Sequence, residues 1–474
     1  MLEKIKKSPF YETLVHSKDY FTVTLANEGL KFLSIPILTY LLSTADYGIL
    51  NIFGSWVSIL SVLIVFNLNG AISRYYYEFT KDYSYFLGFS LILTAAAFGI
   101  STFFILIFRN TLAQWMELPD MVMFFLIPAI LFEVINLTFR QVYQPIKDTK
   151  RIRKYSIGTV YLTFGLTVLL ILLREDTKYI GRLQALVVVS GFYSIVKMRD
   201  VFKYVKFGYR QRFLSYITRF SIPNIPYLLS GAILSQFDRI IINHHMGNSE
   251  AGLYSFAYNI GMLQLMVSNA IHNAWTPKYY EHMHADKGDL IVINASFFSR
   301  IMALGACVLI LFGMELGKIL SSSTYHASLY LIPWIVIGHF FVGLSPFNKN
   351  AIIHAKKTYI TAAMTLGAGM INVGLNVWLI PRFGSVAAAY STLFCYLLLF
   401  LTEFLVSKYL LKKITVPLRA FGVPTLAVVI CTLLFYFLFN TTEWNLLLIV
   451  AKAGSLFMLS LLIFYKEIKN QLIK

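Results

Sequence analysis

The sequence predicts an all-α integral membrane protein with about 14 transmembrane helices, arranged as two six-helix bundles followed by two additional C-terminal helices. Three observations predict this class: the apolar composition, the distribution of Lys and Arg among the loops, and an internal repeat. Hydrophobic residues make up 57% of the 474 and charged residues 14%, and the mean hydropathy is +0.66. A soluble domain carries roughly a quarter charged residues. We therefore expect lipid, rather than water, to surround most of this chain.

Apolar segments of membrane-spanning length recur along the whole chain. A helix needs about 20 mostly apolar residues to cross the hydrocarbon core of a bilayer. Fourteen segments meet this criterion: residues 21–43, 47–69, 83–108, 121–143, 155–173, 179–196, 222–243, 251–275, 290–314, 327–347, 358–380, 384–407, 420–439 and 445–465. The N-terminal stretch MLEKIKKSPFYETLVHSKDY has no apolar core with a small-residue cleavage site, so no removable signal peptide is expected.

The distribution of basic residues orients these spans. The chain carries a formal charge of +18. If the N-terminus is cytoplasmic, the cytoplasmic segments hold about 30 of the 41 Lys and Arg residues and the outside loops about 6. Such asymmetry predicts fourteen spans with both termini cytoplasmic, and it accounts for the charge without nucleic acid. The two most basic loops, 146–155 and 197–213, then act as orientation signals and contact anionic lipid.

An internal repeat indicates two equivalent bundles. TADYG (44–48) aligns with NSEAG (248–252), and the same offset aligns RYYYE (74–78) with KYYEH (278–282). In both copies an acidic residue and a glycine open a span, and a basic residue followed by tyrosines closes it. Duplicated bundles are common in secondary transporters. The predicted domains are an N-lobe at 1–198, a basic cytoplasmic linker at 199–213, a C-lobe at 214–414 and two additional helices at 415–474.

The loops and cysteines exclude several kinds of site. No predicted outside loop exceeds about a dozen residues, so we expect no external catalytic domain and no enzyme activity. Cys307, Cys395 and Cys431 all fall within apolar runs, which excludes a disulfide framework or a metal cluster. The function is therefore expected to lie within the membrane.

Several charges fall inside the predicted spans, where each costs about 2.5–3.5 kcal/mol at a helix centre. The basic ones are Lys31, Arg140, Arg239, Arg300 and Lys452, and the acidic ones are Glu28, Glu133, Asp238 and Glu403. Glu28 and Lys31 are three residues apart and share a helix face. Asp238 and Arg239 are adjacent and point about 100° apart, so at least one of them needs a partner on another helix or on a ligand.

Two interpretations of these charges remain open. They form interhelical salt bridges or snorkel at span ends, or they face a water-filled lumen between two lobes. For Lys31 and Arg239, on the first spans of the two bundles, we favour the lumen. A basic lumen suits an anion, and arginine suits bidentate capture of phosphate, so an acidic lipid headgroup is a natural guest. Asn372 and Asn376 either line such a lumen or join helices.

Two segments carry a family resemblance. FDRIIINHHMGNSEAGLYSFAYNIG (237–261) and VGLNVWLIPRFGSVAAAYSTL (373–393) resemble Wzx-type polysaccharide flippases of the multidrug/oligosaccharidyl-lipid/polysaccharide exporter superfamily. The glycine usual in that family at the position of Ser385 or Val386 is absent. The resemblance implies a V-shaped, alternating-access transporter. It further implies that the cargo is an undecaprenyl-diphosphate-linked oligosaccharide, such as an O-antigen or capsule unit, moved from the cytoplasmic to the outer leaflet.

With that resemblance, we assign roles to the charged residues. Arg239 and Lys31, with Arg140 and Arg300 in a secondary role, are expected to contact the diphosphate or acidic sugars. Glu28, Asp238 and Glu133 are expected to hold these cations or to carry a coupling ion. We expect no cofactor beyond coupling to a proton or sodium gradient, and a monomer that meets lipid-linked glycan, membrane lipids and polysaccharide-assembly proteins. The alternatives are a cation-coupled antiporter of the same superfamily, a membrane-embedded polysaccharide-assembly enzyme, or a scaffold.

Overall fold

The computed structural model describes residues 29–30, 32–411, 416–439 and 445–472, and the regular secondary structure in these ranges is helical. The helices are α1 Phe32–Leu41, α2 Thr44–Val65, α3 Leu68–Glu78, α4 Tyr83–Ile107, α5 Arg109–Met116, α6 Asp120–Tyr143, α7 Thr149–Leu172, α8 Lys178–Phe202, α9 Gln211–His284, α10 Gly288–Ile319, α11 Ile332–His354, α12 Thr358–Phe383, α13 Ser385–Leu405, α14 Arg419–Leu434 and α15 Leu446–Leu472. Short 3-10 or π segments extend α4, α11, α13 and α14. The predicted all-α fold is confirmed.

The helices have the length and composition of membrane spans. Within the described ranges, 12 helices are long and apolar enough to cross a bilayer. One of them, α9, has 74 residues, about 110 Å at the helical rise and over three times the roughly 30 Å hydrocarbon core. Gly247 interrupts α9 with φ 84° and ψ 173°, so residues 211–246 and 248–284 are each long enough to span. The exact number of fourteen spans stays a prediction, because part of the first lies outside the described residues.

The start of α2 shows how the sequence sets a span end. Ser43 precedes the helix in extended conformation, and its hydroxyl accepts a hydrogen bond from the backbone N–H of Asp46 at 3.1 Å. The Asp46 carboxylate accepts from the Ser43 backbone N–H at 3.4 Å. This reciprocal capping box satisfies two N–H groups that would otherwise lack partners at the helix end. The acidic residue identified in the repeat is thus the one that begins the helix.

The chain divides into two compact units, Met1–Gly252 and Leu253–Lys474. In the first, α8 packs against α6 and α7; in the second, α11 and α12 pack against α13, and α14 and α15 pack against α10. The last two helices therefore pack onto the second unit. The predicted lobe boundaries, with a linker at 199–213, stay a prediction.

The two aligned turns of the repeat lie against each other within the first unit. A Cβ atom on Gly48 would lie 1.9 Å from the backbone oxygen of Asn248, and one on Gly252 would lie 2.0 Å from that of Thr44. The Thr44 and Ser249 hydroxyl oxygens are 2.6 Å apart. Residues 44 and 48 align with residues 248 and 252, so the two contacts are reciprocal. A duplicated turn packed around a local two-fold axis produces this pattern.

Candidate functional site

The predicted site residues fall into three places, apart from Glu28 and Lys31, which lie outside the described residues. Asp238 and Arg239 are on α9, and Glu133 and Arg140 are on α6, all in the first unit. Arg300 is on α10 in the second unit and is buried. The structure brings Glu133 and Arg140 together with a further lysine, and it links Arg239 to α2.

The Asp238–Arg239 pair is buried, with 1% and 5% of the two residues exposed. Arg239 Nη1 donates to the backbone oxygen of Ser235 at 2.8 Å and to Gln236 Oε1 at 3.1 Å. The Ser55 hydroxyl on α2 donates to the same Gln236 oxygen at 2.9 Å. The printed partners of Arg239 are thus on its own helix, and Gln236 connects the guanidinium indirectly to α2.

A second charged group joins α6 to α8. Lys197 is 4% exposed, and its Nζ donates to Asn136 Oδ1 on α6 at 2.9 Å. The charges of Glu133 and Arg140, one turn before and one turn after Asn136, both act on Lys197. Glu133 is half-buried and Arg140 is exposed. The predicted pair thus belongs to a four-residue polar group that contains a buried cation.

Sequence reasoning missed Lys197 because it ended the sixth span at residue 196 and counted the lysine as part of a basic loop. The helix continues to Phe202. One signal was present: the stretch VKMRDVF contains no glycine or proline to end the helix. A lysine that follows a span without a helix stop can remain packed inside the bundle.

The two most basic loops meet at the end of α8, around Asp200. This carboxylate accepts hydrogen bonds from the Tyr155 hydroxyl at 2.7 Å and from Lys203 Nζ at 2.6 Å. Arg151 Nη1 lies 3.6 Å away. These contacts line a cavity of about 360 Å³ to which 148–155 and 199–203 both contribute. Asp200 therefore pairs with cations from both loops and fixes the two loops to each other.

Two buried charges of the second unit, Lys452 and Glu403, interact with residues on other helices. Lys452 Nζ on α15 lies 2.5 Å from Glu315 Oε1 on α10 and 5.7 Å from the centre of the Phe435 ring. Glu403 on α13 is fully buried, accepts a hydrogen bond from the Ser345 hydroxyl on α11, and interacts electrostatically with Lys349. Such pairs hold helices together, which is the salt-bridge interpretation for Lys452.

Asn372 and Asn376 join helices. Both are fully buried. Asn376 Nδ2 donates to Asn372 Oδ1 at 3.2 Å, and Asn372 Nδ2 donates to Thr392 Oγ1 on α13 at 3.1 Å. The Ser391 hydroxyl, also on α13, donates to Asn376 Oδ1. The asparagines therefore connect α12 to α13 through side-chain hydrogen bonds.

Comparison with known proteins adds a family and relatives. The family model described as polysaccharide biosynthesis protein matches residues 20–283. The Haemophilus influenzae protein "Lsg locus putative protein 1" is 22% identical over 280 residues, covering 56% of this chain and 66% of that protein. An "Uncharacterized membrane protein" of the same organism is 22% identical over 275 residues, covering 56% and 65%. The chain thus spans slightly less than two thirds of the length of these relatives.

Solved structures share the fold over most of the chain. The lipid II flippase MurJ in an inward closed conformation superposes with a TM-score of 0.74 at 12% identity, covering 97% of this chain and 100% of that one. An inward-facing multidrug resistance MATE family transporter of the MOP superfamily gives a TM-score of 0.64 at 14% identity, covering 83% and 98%. At these identities the likeness establishes the transporter fold.

Proposed function

The chain belongs to the polysaccharide biosynthesis protein family, and from this membership we propose that it is a flippase, not an enzyme. The proposed cargo is an undecaprenyl-diphosphate-linked oligosaccharide unit. It would pass from the cytoplasmic to the outer leaflet of a bacterial cytoplasmic membrane by alternating access. The observation that carries the proposal is the family match over the first half of a chain whose fold is shared with a lipid II flippase.

Buried cations of the first unit support a diphosphate cargo. Arg239 and Lys197 lie within membrane-spanning helices, where an uncompensated charge is costly and is commonly retained for function. In our proposal Arg239, with Lys31, binds the diphosphate, and Gln236 holds the guanidinium in place until cargo replaces part of its hydrogen bonding. Lys197 and Arg140 offer a second contact in this unit, and Arg300 one in the other unit.

Acidic neighbours complete the proposed mechanism. Asp238 and Glu28 would hold the cations when no cargo is bound, and Glu133 would do so beside Lys197. When the cargo leaves, these carboxylates become the counter-ions of the cations. A proton or sodium ion that binds to the carboxylates then changes the affinity of the cations for the diphosphate. This is the form of energy coupling that we propose. The polyprenyl tail stays in the bilayer while the glycan crosses.

A multidrug antiporter is the second candidate, and the shared fold with a multidrug resistance transporter favours it. An antiporter for cationic drugs would be expected to use mainly acidic groups in its site, whereas basic residues are at least as prominent as acidic ones here. Uptake of a cationic dye into proteoliposomes, driven by an imposed proton or sodium gradient, distinguishes the two. A flippase moves lipid-linked glycan but not the dye.

We expect Arg239→Ala and Lys31→Ala each to reduce the flipping rate of undecaprenyl-diphosphate-linked oligosaccharide roughly tenfold or more. A hydrogen bond to a charged group contributes about 1.5–3 kcal/mol, and tenfold corresponds to about 1.4 kcal/mol. The measurement is the protection of labelled glycan from an external modifying reagent in proteoliposomes at equal protein content. Arg109→Ala, in a predicted outside loop where the guanidinium stacks over Phe124, is the matched control. Wild-type rates for both test variants would refute the proposal.

A further inference from the structure

An arginine-lined cavity lies in the first unit, between α3 and the start of α9. Its volume is about 400 Å³, within the range of small-molecule sites. The lining residues are Arg74, Arg212, Ser215, Tyr216, Arg219 and Phe220. Three are cationic, and no carboxylate belongs to the described lining. We name this set the arginine cavity.

The cavity is built by the spacing of residues on α9 and by one cation on α3. Residues 212, 215, 216 and 219 fall at intervals of three, four and seven, so they share one helix face. Arg74 on α3 lies opposite, with its guanidinium carbon 4.6 Å from the centre of the Phe220 ring. Arg74 belongs to the RYYYE element that closes a span in the repeat. Within the first unit, the arginine cavity therefore lies at the end that is predicted to face the cytoplasm.

Glu78 fixes the two helices without occupying the cavity. Its carboxylate accepts from Arg74 Nε at 2.6 Å and from the Tyr216 hydroxyl at 2.9 Å. Burial alone would raise the pKa of Glu78, but the hydrogen bonds from Arg74 and Tyr216 outweigh it and lower the pKa, so the carboxylate is ionised. The contact engages only Nε of Arg74. The four N–H donors on the two terminal nitrogens of that guanidinium stay available to a ligand.

The other two arginines differ in how they are compensated. Arg212 forms an ion pair with Asp82 through Nη2. Arg219 makes no hydrogen bond or ion pair with any residue in the described part of the chain. In the neighbouring cavity around Asp200, by contrast, Asp148 and Asp200 themselves line the walls. The arginine cavity thus differs in having no carboxylate in its described lining and in presenting guanidinium groups, whose fork geometry matches phosphate oxygens.

We propose that the arginine cavity binds the phosphate groups of a lipid diphosphate and is the first capture site for the cargo, before it reaches the buried cations. The identity of that lipid as cargo rests on the proposed flippase function. Diphosphate offers several oxygen acceptors, enough for two or three arginines and the Ser215 hydroxyl at once. An exposed site at the membrane surface, rather than the buried Arg239, is where a headgroup can bind while its chain remains in the cytoplasmic leaflet.

The test is a binding measurement on the full chain, separate from translocation. Protein in neutral-lipid nanodiscs is titrated with fluorescent farnesyl diphosphate. Unlabelled farnesyl diphosphate, inorganic pyrophosphate and phosphatidylglycerol are the competitors. We expect the triple variant Arg74→Gln/Arg212→Gln/Arg219→Gln to raise the dissociation constant at least tenfold. Arg219→Lys, which keeps the charge but not the fork, should raise it about threefold. The matched control, Lys150→Gln/Lys154→Gln/Arg199→Gln from the neighbouring cavity, should stay within twofold of wild type.

Each remaining outcome supports or overturns the assignment. Unchanged affinity in a triple variant that elutes as folded protein overturns the site. Competition by phosphatidylglycerol as strong as that by unlabelled farnesyl diphosphate overturns the diphosphate assignment, because any anionic headgroup would then bind. Inorganic pyrophosphate that competes more weakly than farnesyl diphosphate supports a lipid ligand, and equal competition overturns it. If binding behaves as expected but wild-type protein flips no glycan, the flippase proposal fails and the site stands.

Discussion

Lys452→Met should lower the free energy of unfolding by about 3–5 kcal/mol, the usual cost of removing one partner of a buried ion pair. The lysine is 1% exposed and lies against Glu315, which is 19% exposed. Without the ammonium group, the Glu315 carboxylate keeps its desolvation cost and loses the attraction that offset it. We expect a clearly lower midpoint of thermal unfolding in detergent, followed by size-exclusion chromatography of heated samples.

The double variant Lys452→Met/Glu315→Leu separates the charge from the packing. Replacing both partners with apolar residues of similar volume is often neutral or stabilising, so the double variant should recover most of the lost stability. Lys408→Met, at an exposed lysine in the same unit, controls for the loss of one positive charge and should change the midpoint little. Equal loss in the single and double variants would mean that the α10–α15 contact depends on shape and not on the ion pair.

Lys452 shows which features of a buried charge hydropathy predicts and which it does not. Hydropathy identifies a charge inside an apolar segment, but it gives neither its depth nor the helix that faces it. Its partner Glu315 is one residue past the predicted end of the ninth span, so the sequence offered no reason to connect the two. The structure extends that helix to Ile319 and makes the contact visible.

The membrane fold itself was predictable because each of its signals is local. Apolar length identifies a span, basic residues orient it, and the Ser43–Asp46 capping box begins α2 at a residue that the repeat had already marked. The candidate site is harder because it depends on tertiary neighbours. Arg239 is linked to α2 through the hydrogen bond between Gln236 and Ser55, which are 181 positions apart in sequence, and a single sequence carries no signal for that pairing.

Lys197 shows the same limit of sequence patterns for a residue that was assigned to a loop. The positive-inside rule counts a lysine near a span end as an orientation signal, and most such lysines are. Here the helix continues, and Asn136 on α6 takes a hydrogen bond from the ammonium group. Only packing against α6 separates this lysine from its exposed neighbours Lys203 and Arg199. A charge-counting rule therefore misplaces one residue of the site, and the orientation that it gives stays a prediction.

Gly48→Ala and Gly252→Ala should each destabilise the first unit by about 1–3 kcal/mol, the usual range for overpacking. The added Cβ would lie 1.9 Å from the Asn248 oxygen in the first case and 2.0 Å from the Thr44 oxygen in the second. Both obstacles are backbone atoms, so a side-chain rotation cannot relieve them and the two helix starts must separate. The same thermal measurement in detergent reports the change.

Two other glycines provide matched controls, because the space around them is open. Apart from the neighbouring backbone of the same helix, no atom lies within 4 Å of the Cβ position of Gly54 on α2 or of Gly231 on α9. Gly54→Ala and Gly231→Ala should be neutral or stabilising, since alanine is favoured over glycine inside a helix by about 0.8–1 kcal/mol. If the contact is reciprocal, the double variant Gly48→Ala/Gly252→Ala should lose less than the sum of the single losses. The first added methyl group already separates the two helix starts, so the second one clashes less with the opposite backbone oxygen. Full additivity would show that the aligned turns pack independently, and would remove the structural support for a duplicated two-fold contact.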